Sequence, residues 1–273
     1  MYKVGIAGRG FVGSAIERFI SEFEFCEVKS YDIKDDEDIE SGYKNIVEDS
    51  DFIYICLPTP RGEDGRCFTD IVRDSCSLIY RLSNELGTNP IVLIKSTLSV
   101  GTIRDIQDKN PNMLICSNPE FLTERRAYKD FKSADKHLIG LGQNMEEKHK
   151  QLLVKYHSDI WPDAECVFTG ATQAELIKQT TNSFFAVKII FANQLYDLCQ
   201  EIGIDYSNFI SAGIKADPRL GDMHWEVPGH DGKRGFGGHC LPKDLMGLIK
   251  IFEDNNVSQD ILAAANKYNK ERR

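Results

Sequence analysis

Near the end of the chain, the run Gly235-Phe236-Gly237-Gly238-His239-Cys240-Leu241-Pro242-Lys243-Asp244 sets one thiol beside a lysine and a carboxylate. Proline is favoured in the first turn of a helix, so Leu241-Pro242 reads as a helix start, with Cys240 facing the positive end of the helix dipole. A thiol in that setting ionises more readily, and the thiolate is the nucleophilic form. The flanking glycines have no side chains and leave room for a substrate to approach the sulfur. A cysteine after a flexible loop is more often a buried packing residue. The rest of the sequence decides for chemistry.

A second motif points to a dinucleotide. Gly8-Arg9-Gly10-Phe11-Val12-Gly13 fits G-x-G-x-x-G directly after an apolar β-rich run and directly before a helical one. Glycines are needed there because the backbone must turn sharply and touch a pyrophosphate resting on the helix N-terminus. Asp32 ends the next apolar run, about 20 residues further on, where a carboxylate accepts hydrogen bonds from the adenosine ribose. That negative charge repels a ribose phosphate and favours NAD over NADP, with Lys34 as the one nearby counter-signal. Thr59 and Ser96-Thr97 end further runs, on the sheet edge where open α/β folds bind ligands.

The elements that must hold these residues alternate. Strands are expected at 3–7, 27–31, 52–57, 91–94, 113–116 and 137–140, with helices at 11–23, 71–86, 100–109 and 146–157. That is the pattern of a Rossmann-like parallel sheet covered by helices on both faces. From 171 to 202 there is neither proline nor glycine, so one long helix is expected, apolar on more than one face. A helix at 205–216, a long loop at 217–239 and helices at 242–255 and 258–272 complete the chain. The fold class is therefore α/β, with a dinucleotide-binding domain over 1–168 and an all-α domain over 169–273. The acidic run Asp35-Asp36-Glu37-Asp38 reads as a solvated loop.

The chain of 273 residues carries a net charge of -9, which argues against nonspecific binding to nucleic acid or an anionic membrane and favours a small-molecule partner. Its eight cysteines form no C-x-x-C pair and several sit in apolar runs, as expected of reduced thiols in the cytoplasm. No stretch approaches a membrane span. His224, His230 and His239 crowd the loop before Cys240 without zinc spacing, so no metal is expected. His224 and Trp225 are expected to pack or to line the pocket.

These motifs, together with Pro58-Thr59-Pro60, Lys95-Ser96-Thr97, the run from Ser117 to Leu122, Lys178 with Asn182, and the run from Asp217 to Gly221, occur in an order that resembles the nucleotide-sugar 6-dehydrogenases, and among them the UDP-glucose 6-dehydrogenase branch. The resemblance runs over essentially the whole chain. It implies two NAD-dependent oxidations of a sugar C6 alcohol to a carboxylate, UDP-glucose to UDP-glucuronate, with the aldehyde held on the enzyme. Cys240 is then the nucleophile and Glu124 the acid/base for thioester hydrolysis, while Lys178 and Asn182 hold the reacting oxygen and Asp244 positions a water or proton. Thr97 lies by the nicotinamide and Lys243 contacts the cofactor. Glu120, Phe121, Leu122, Arg219, Gly229, Lys233, Phe236 and Gly237 bind substrate. The residues support part of this directly: Lys178 and Asn182 are one helical turn apart and can aim donors at one alkoxide.

The resemblance also implies a homodimer through the long helix, with Arg219 reaching substrate across it. It implies as well a further nucleotide-gripping domain, expected to be missing here or supplied by a partner chain. Two other readings remain at this stage: a noncatalytic NAD-binding remnant or partner-dependent fragment, and a one-step hydroxyacid dehydrogenase.

Overall fold

A computed structural model describes residues 1–35 and 38–273; Asp36 and Glu37, in the acidic run, lie outside the described residues. In chain order the elements are β1 (Tyr2–Ala7), α1 (Phe11–Ile20), β2 (Cys26–Tyr31), α2 (Ile39–Val47), β3 (Phe52–Ile55), α3 (Asp70–Leu86), β4 (Ile91–Ile94), α4 (Thr102–Lys109), β5 (Ile115–Ser117), α5 (Ala127–Lys132), β6 (Lys136–Leu141), α6 (Glu147–Ile160), β7 (Glu165–Gly170), α7 (Ala171–Glu201), α8 (Tyr206–Ala212), α9 (Cys240–Asp254) and α10 (Asp260–Arg272). Short 3-10 turns stand at Glu124–Arg126, Ile214–Ala216 and Pro218–Leu220.

The chain divides into two compact units, Met1–Pro60 with Phe68–Lys178, and Arg61–Cys67 with Gln179–Arg273. The division falls inside α7 rather than before it, and the second unit takes in a short stretch from the midst of the first. Both features differ from the boundary expected at 168.

The first unit is one sheet in the order β2-β1-β3-β4-β5-β6-β7, parallel except between β5 and β6. Every residue of β3 is buried, because alternate side chains enter different cores. Phe52 and Tyr54 join Ile16, Phe19 and Tyr156 on one face. Ile53 and Ile55 join Ile46, Val72 and Ile79 on the other. The order reverses at β1, whose neighbours are β2 and β3. The crevice at the carboxyl ends of β1 and β3 is thus the topological switch point where such sheets bind ligands.

Strand β7, helix α2 and the short helix α5 escape the sequence pattern. Strand β7 alternates between exposed and half-buried positions and shows no buried apolar run. Helix α2 contains Gly42, a poor helix former, but is capped by Asp38, whose side chain accepts from Ser41 N at 3.1 Å. The glycine is there for packing: a Cβ at Gly42 would lie 2.1 Å from the ring of Tyr31.

In the second unit, Ala186, Ile190, Phe236, Leu245, Ile249 and Ala265 form one core. Ala192, Cys199, Tyr206, Ile210 and Trp225 form another. Among the described residues no helix is long and apolar enough to cross a membrane.

Gly→Ala inside a helix ordinarily stabilises by up to about 1 kcal/mol. At Gly42 the sign reverses: Gly42→Ala pushes the buried Tyr31 ring aside and lowers stability by about 1–3 kcal/mol, read as a drop in the denaturant midpoint.

Candidate active site

The glycine loop joins β1 to α1, and its three glycines meet three different demands. Gly8 has φ 92°, and a Cβ there would lie 2.7 Å from the carbonyl oxygen of Cys56 just past β3. At Gly13 a Cβ would lie 1.9 Å from the Gly8 carbonyl, so helix and strand approach closely only without a side chain. Gly10 is the helix cap; no side chain bonds to it, and the space where its Cβ would stand is open. First-turn N–H groups have no partner within their own helix. The loop therefore offers donors, a positive dipole end and room, which fits a pyrophosphate. Phe11 is exposed and Val12 half-buried at the start of α1.

Asp32, just beyond β2, accepts the backbone N–H groups of Arg9 at 2.7 Å and Lys34 at 3.0 Å. Partial burial raises its carboxyl, but these N–H groups and the charges of Lys34 and Arg9 outweigh it and hold the group below the usual range. An ionised carboxylate beside the glycine loop suits ribose hydroxyls and repels a ribose phosphate. Thr59, buried, and Thr97, half-buried, follow β3 and β4 on the same sheet edge. The two strand ends are tied by Ser96 Oγ donating to Leu57 O at 2.6 Å.

At the next edge position, Lys178 Nζ donates to the backbone oxygen of Glu120 at 2.5 Å and lies 3.3 Å from its Oε1. The ammonium stands 5.2 Å from the centre of the Phe121 ring. Glu120 in turn accepts from Leu122 N at 2.5 Å. Glu124 opens the 3-10 turn and is exposed. Glu175, three residues before Lys178 in α7, was not singled out from sequence. It is 1 % exposed and takes the N–H groups of Gly101 (2.6 Å) and Ile103 (2.8 Å), capping α4 behind the Thr97 segment.

In the helical unit, α9 begins at Cys240 rather than at Pro242, so the thiol occupies the first turn itself, half-buried, with no side-chain cap. Pro242 is tolerated because first-turn N–H groups lack intrahelical partners. Asp244 has no solvent exposure, and its two oxygens are divided. Oδ2 accepts from Asn182 Nδ2 at 2.5 Å, and Oδ1 accepts from Lys243 Nζ at 2.6 Å. Lys243 also lies 3.1 Å from Cys67 Sγ. Burial lowers the lysine, but Asp244 and Cys67 outweigh that and hold it above its usual value.

The expected substrate residues of this unit are scattered in character. Arg219 is mostly exposed and paired with Asp217, Nη2 to Oδ2 at 2.5 Å. Gly229 and Lys233 close one turn, Gly229 N to Lys233 O at 2.9 Å. The Phe236 side chain is buried in the core, and its backbone N–H and carbonyl are both held by Asn269. Gly237 lies under the guanidinium of Arg273, where a Cβ would be 2.0 Å from Nη2. His224 stands 4.4 Å from the Phe185 ring, centre to centre, and Trp225 is buried. Among the described residues no group of three or more His, Cys, Asp or Glu side chains is placed to hold a metal.

A mostly parallel sheet with a glycine-rich first turn and a carboxylate beside it, followed by a helical unit that carries a thiol at a helix start, defines by class a dinucleotide-binding α/β protein with a helical second unit. Residues 33–158 match the NAD binding domain of the UDP-glucose/GDP-mannose dehydrogenase family and residues 172–271 its central domain. The chain belongs to that family, and its cofactor is NAD. It is 33% identical over 237 residues to the UDP-glucose 6-dehydrogenase of Rickettsia bellii, covering 85% of this chain and 52% of that one. With the UDP-glucose 6-dehydrogenase of Rhizobium meliloti it shares 33% over 225 residues, 78% of this chain and 48% of that one. The chain thus spans about half the length of these curated relatives. The solved UDP-glucose dehydrogenase of Pyrobaculum islandicum superposes with a TM-score of 0.82 at 25% identity, over 99% of this chain and 68% of that one. A 3-hydroxyisobutyrate dehydrogenase from Mycobacterium tuberculosis shares the fold, with a TM-score of 0.71 at 17% identity, over 99% of this chain and 93% of that one.

Burial pushes the Glu175 carboxyl up to about 7, against the N–H groups of Ile103 and Gly101 that pull it down. With the folded value raised, the folded chain holds this proton more tightly, so the associated stability is present in acid and is lost as pH rises through about 7. Glu175→Gln cannot ionise there. Its melting temperature therefore falls less than that of the wild type between about pH 5 and pH 8, as thermal unfolding across that range would show.

Proposed function

We propose that the chain oxidises the C6 alcohol of a nucleotide sugar, UDP-glucose, to the carboxylate in two steps, giving UDP-glucuronate. The observation that carries this reading is Cys240 in the uncapped first turn of α9, with the buried Asp244–Asn182 pair one turn further in. Alcohol oxidation alone needs no nucleophile; retention of an aldehyde does.

NAD, when bound, takes up one hydride in each oxidation. The Cys240 thiolate adds to the aldehyde carbon, forming a C–S bond and an oxyanion, and the aldehyde cannot leave. Lys178 and the N–H of Asn182 not used by Asp244 stabilise that oxyanion. Loss of the second hydride gives a thioester, and water cleaves the C–S bond, releasing the carboxylate and returning the thiol. Glu124 moves the proton of that water, and Asp244 keeps Asn182 in place. Glu120, Phe121 and Leu122, with Arg219, Gly229, Lys233, Phe236 and Gly237, form the substrate surface, Phe236 through its backbone. In total one sugar alcohol, one water and two NAD+ yield one carboxylate, two NADH and three protons.

The reading extends to a homodimer in the cytoplasm. None of the eight cysteines is in a disulfide. On α7, Phe184, Phe191 and Leu198 are all exposed, one heptad apart, which is the spacing of a helix that pairs with a copy of itself.

Purified chain given NAD and a panel of UDP- and GDP-sugars should form two NADH per UDP-glucose consumed. In Cys240→Ser the second oxidation is abolished, with at most a trace of first-step turnover. A ratio of one NADH per substrate, or full two-step activity in Cys240→Ser, defeats the covalent route and favours a simple hydroxy-compound dehydrogenase. For the assembly, light scattering at micromolar concentration should give twice the 30.9 kDa chain mass. Phe184→Glu with Phe191→Glu should return it to a monomer.

A further inference from the structure

We propose that Cys67 is a positioning residue for this oxidation: its sulfur holds the Lys243 ammonium on one oxygen of Asp244, so that the other oxygen fixes the carboxamide of Asn182. The inference rests on the function proposed above and adds to it a residue that touches none of the reacting atoms.

The geometry is a closed buried cluster. Lys243 Nζ lies 3.1 Å from Cys67 Sγ and 2.6 Å from Asp244 Oδ1, and Cys67 Sγ lies 3.9 Å from the same oxygen. Asp244 Oδ2 then accepts from Asn182 at 2.5 Å. Cys67, Lys243, Asp244 and Asn182 are each at most 9% exposed. Inside a protein an ammonium must be met by acceptors on more than one side, and a thiol is a weak acceptor that costs little to bury. The sulfur limits the rotation of Lys243 about Asp244. Asp244 is shared, so any swing of the lysine is passed on to Asn182.

The sulfur is held from outside the cluster as well. Cys67 pairs with Arg61 across an antiparallel bridge, and Gly62 N donates to Arg66 O at 2.7 Å, closing a small hairpin. Arg66 is ion-paired to Asp64 at 2.6 Å and also to Asp254 in the last turn of α9. A Cβ at Gly65 would meet Met246 of the same helix at 3.8 Å. The hairpin therefore contacts α9 at its start and its end, and Cys67 is its point of contact with the polar cluster.

The test is a double-mutant cycle on kcat and KM with UDP-glucose, accompanied by melting temperatures. Cys67→Ala lowers kcat roughly tenfold, the loss expected for one buried hydrogen bond, and leaves KM within about twofold. Cys67→Ser, whose hydroxyl still accepts, recovers most of the rate. In an Asn182→Ala background the same Cys67→Ala change alters kcat by less than about twofold, because the group it acts through is gone. An equal loss in both backgrounds, or no recovery by serine, overturns the proposal in favour of a packing role. Should the wild-type chain turn over no nucleotide sugar, the proposed function fails by itself, and the side-chain amide signals of Asn182 in ¹⁵N-asparagine-labelled protein decide instead. They shift in Cys67→Ala if the coupling exists; unmoved signals overturn it.

Discussion

A carboxylate with no access to water has to be neutralised by its neighbours, and in the helical unit Asp244 sets that requirement. Removing such a group from water costs several kcal/mol, which only good geometry on all sides offsets. Lys243 answers it through one oxygen and Asn182 through the other. Three stretches of chain are thereby committed to one point: the first turn of α9, the middle of α7 and the hairpin ending at Cys67. Where α9 begins, and hence where Cys240 stands relative to Asn182, follows from the demand to compensate one buried charge.

The sheet unit solves a different problem, the binding of an anion without a cationic side chain at its centre. Gly8 and Gly13 let strand and helix come so close that the first turn of α1 is presented end-on, and Gly10 leaves that end open. Helix α4 shows the opposite treatment. Its N-terminus is closed by Glu175, a buried acid that keeps the turn rigid and denies it to ligands. Helix α9 resembles α1 in lacking a side-chain cap, and its first residue is the thiol-bearing Cys240. A helix end left open favours negative charge, which suits a phosphate at α1 and, in the proposed reaction, a thiolate at α9.

Much of this could be read before any coordinates. The alternation of apolar runs indicated the parallel sheet, and the proline- and glycine-free stretch indicated α7, because both signals are local and periodic. Strand β7 and helix α2 were hidden, the first by half-exposed residues that break the period-two pattern and the second by Gly42, whose reason is the distant Tyr31 ring. The same division holds for the site residues. Asp32, Lys178, Asn182 and Cys240 stand in motifs whose spacing carries meaning. Cys67 and Glu175 act through partners far away in the chain, and nothing adjacent to them in sequence announces the pairing. Lys243, a cofactor contact by the family resemblance, has its ammonium buried beside Asp244 and Cys67.

The short stretch Arg61–Cys67 belongs to the helical unit although the chain enters and leaves it from the sheet unit. No single cut therefore separates the two halves of this molecule. A fragment starting at Gln179 would carry the thiol and both of its helices but would lack Cys67 and Arg66, leaving the Lys243 side chain short of an acceptor and Asp254 without its guanidinium. Exchange of halves between related chains would have to move the hairpin together with the C-terminal part, as a discontinuous graft, and recombination at one crossover point would break the polar cluster in both products.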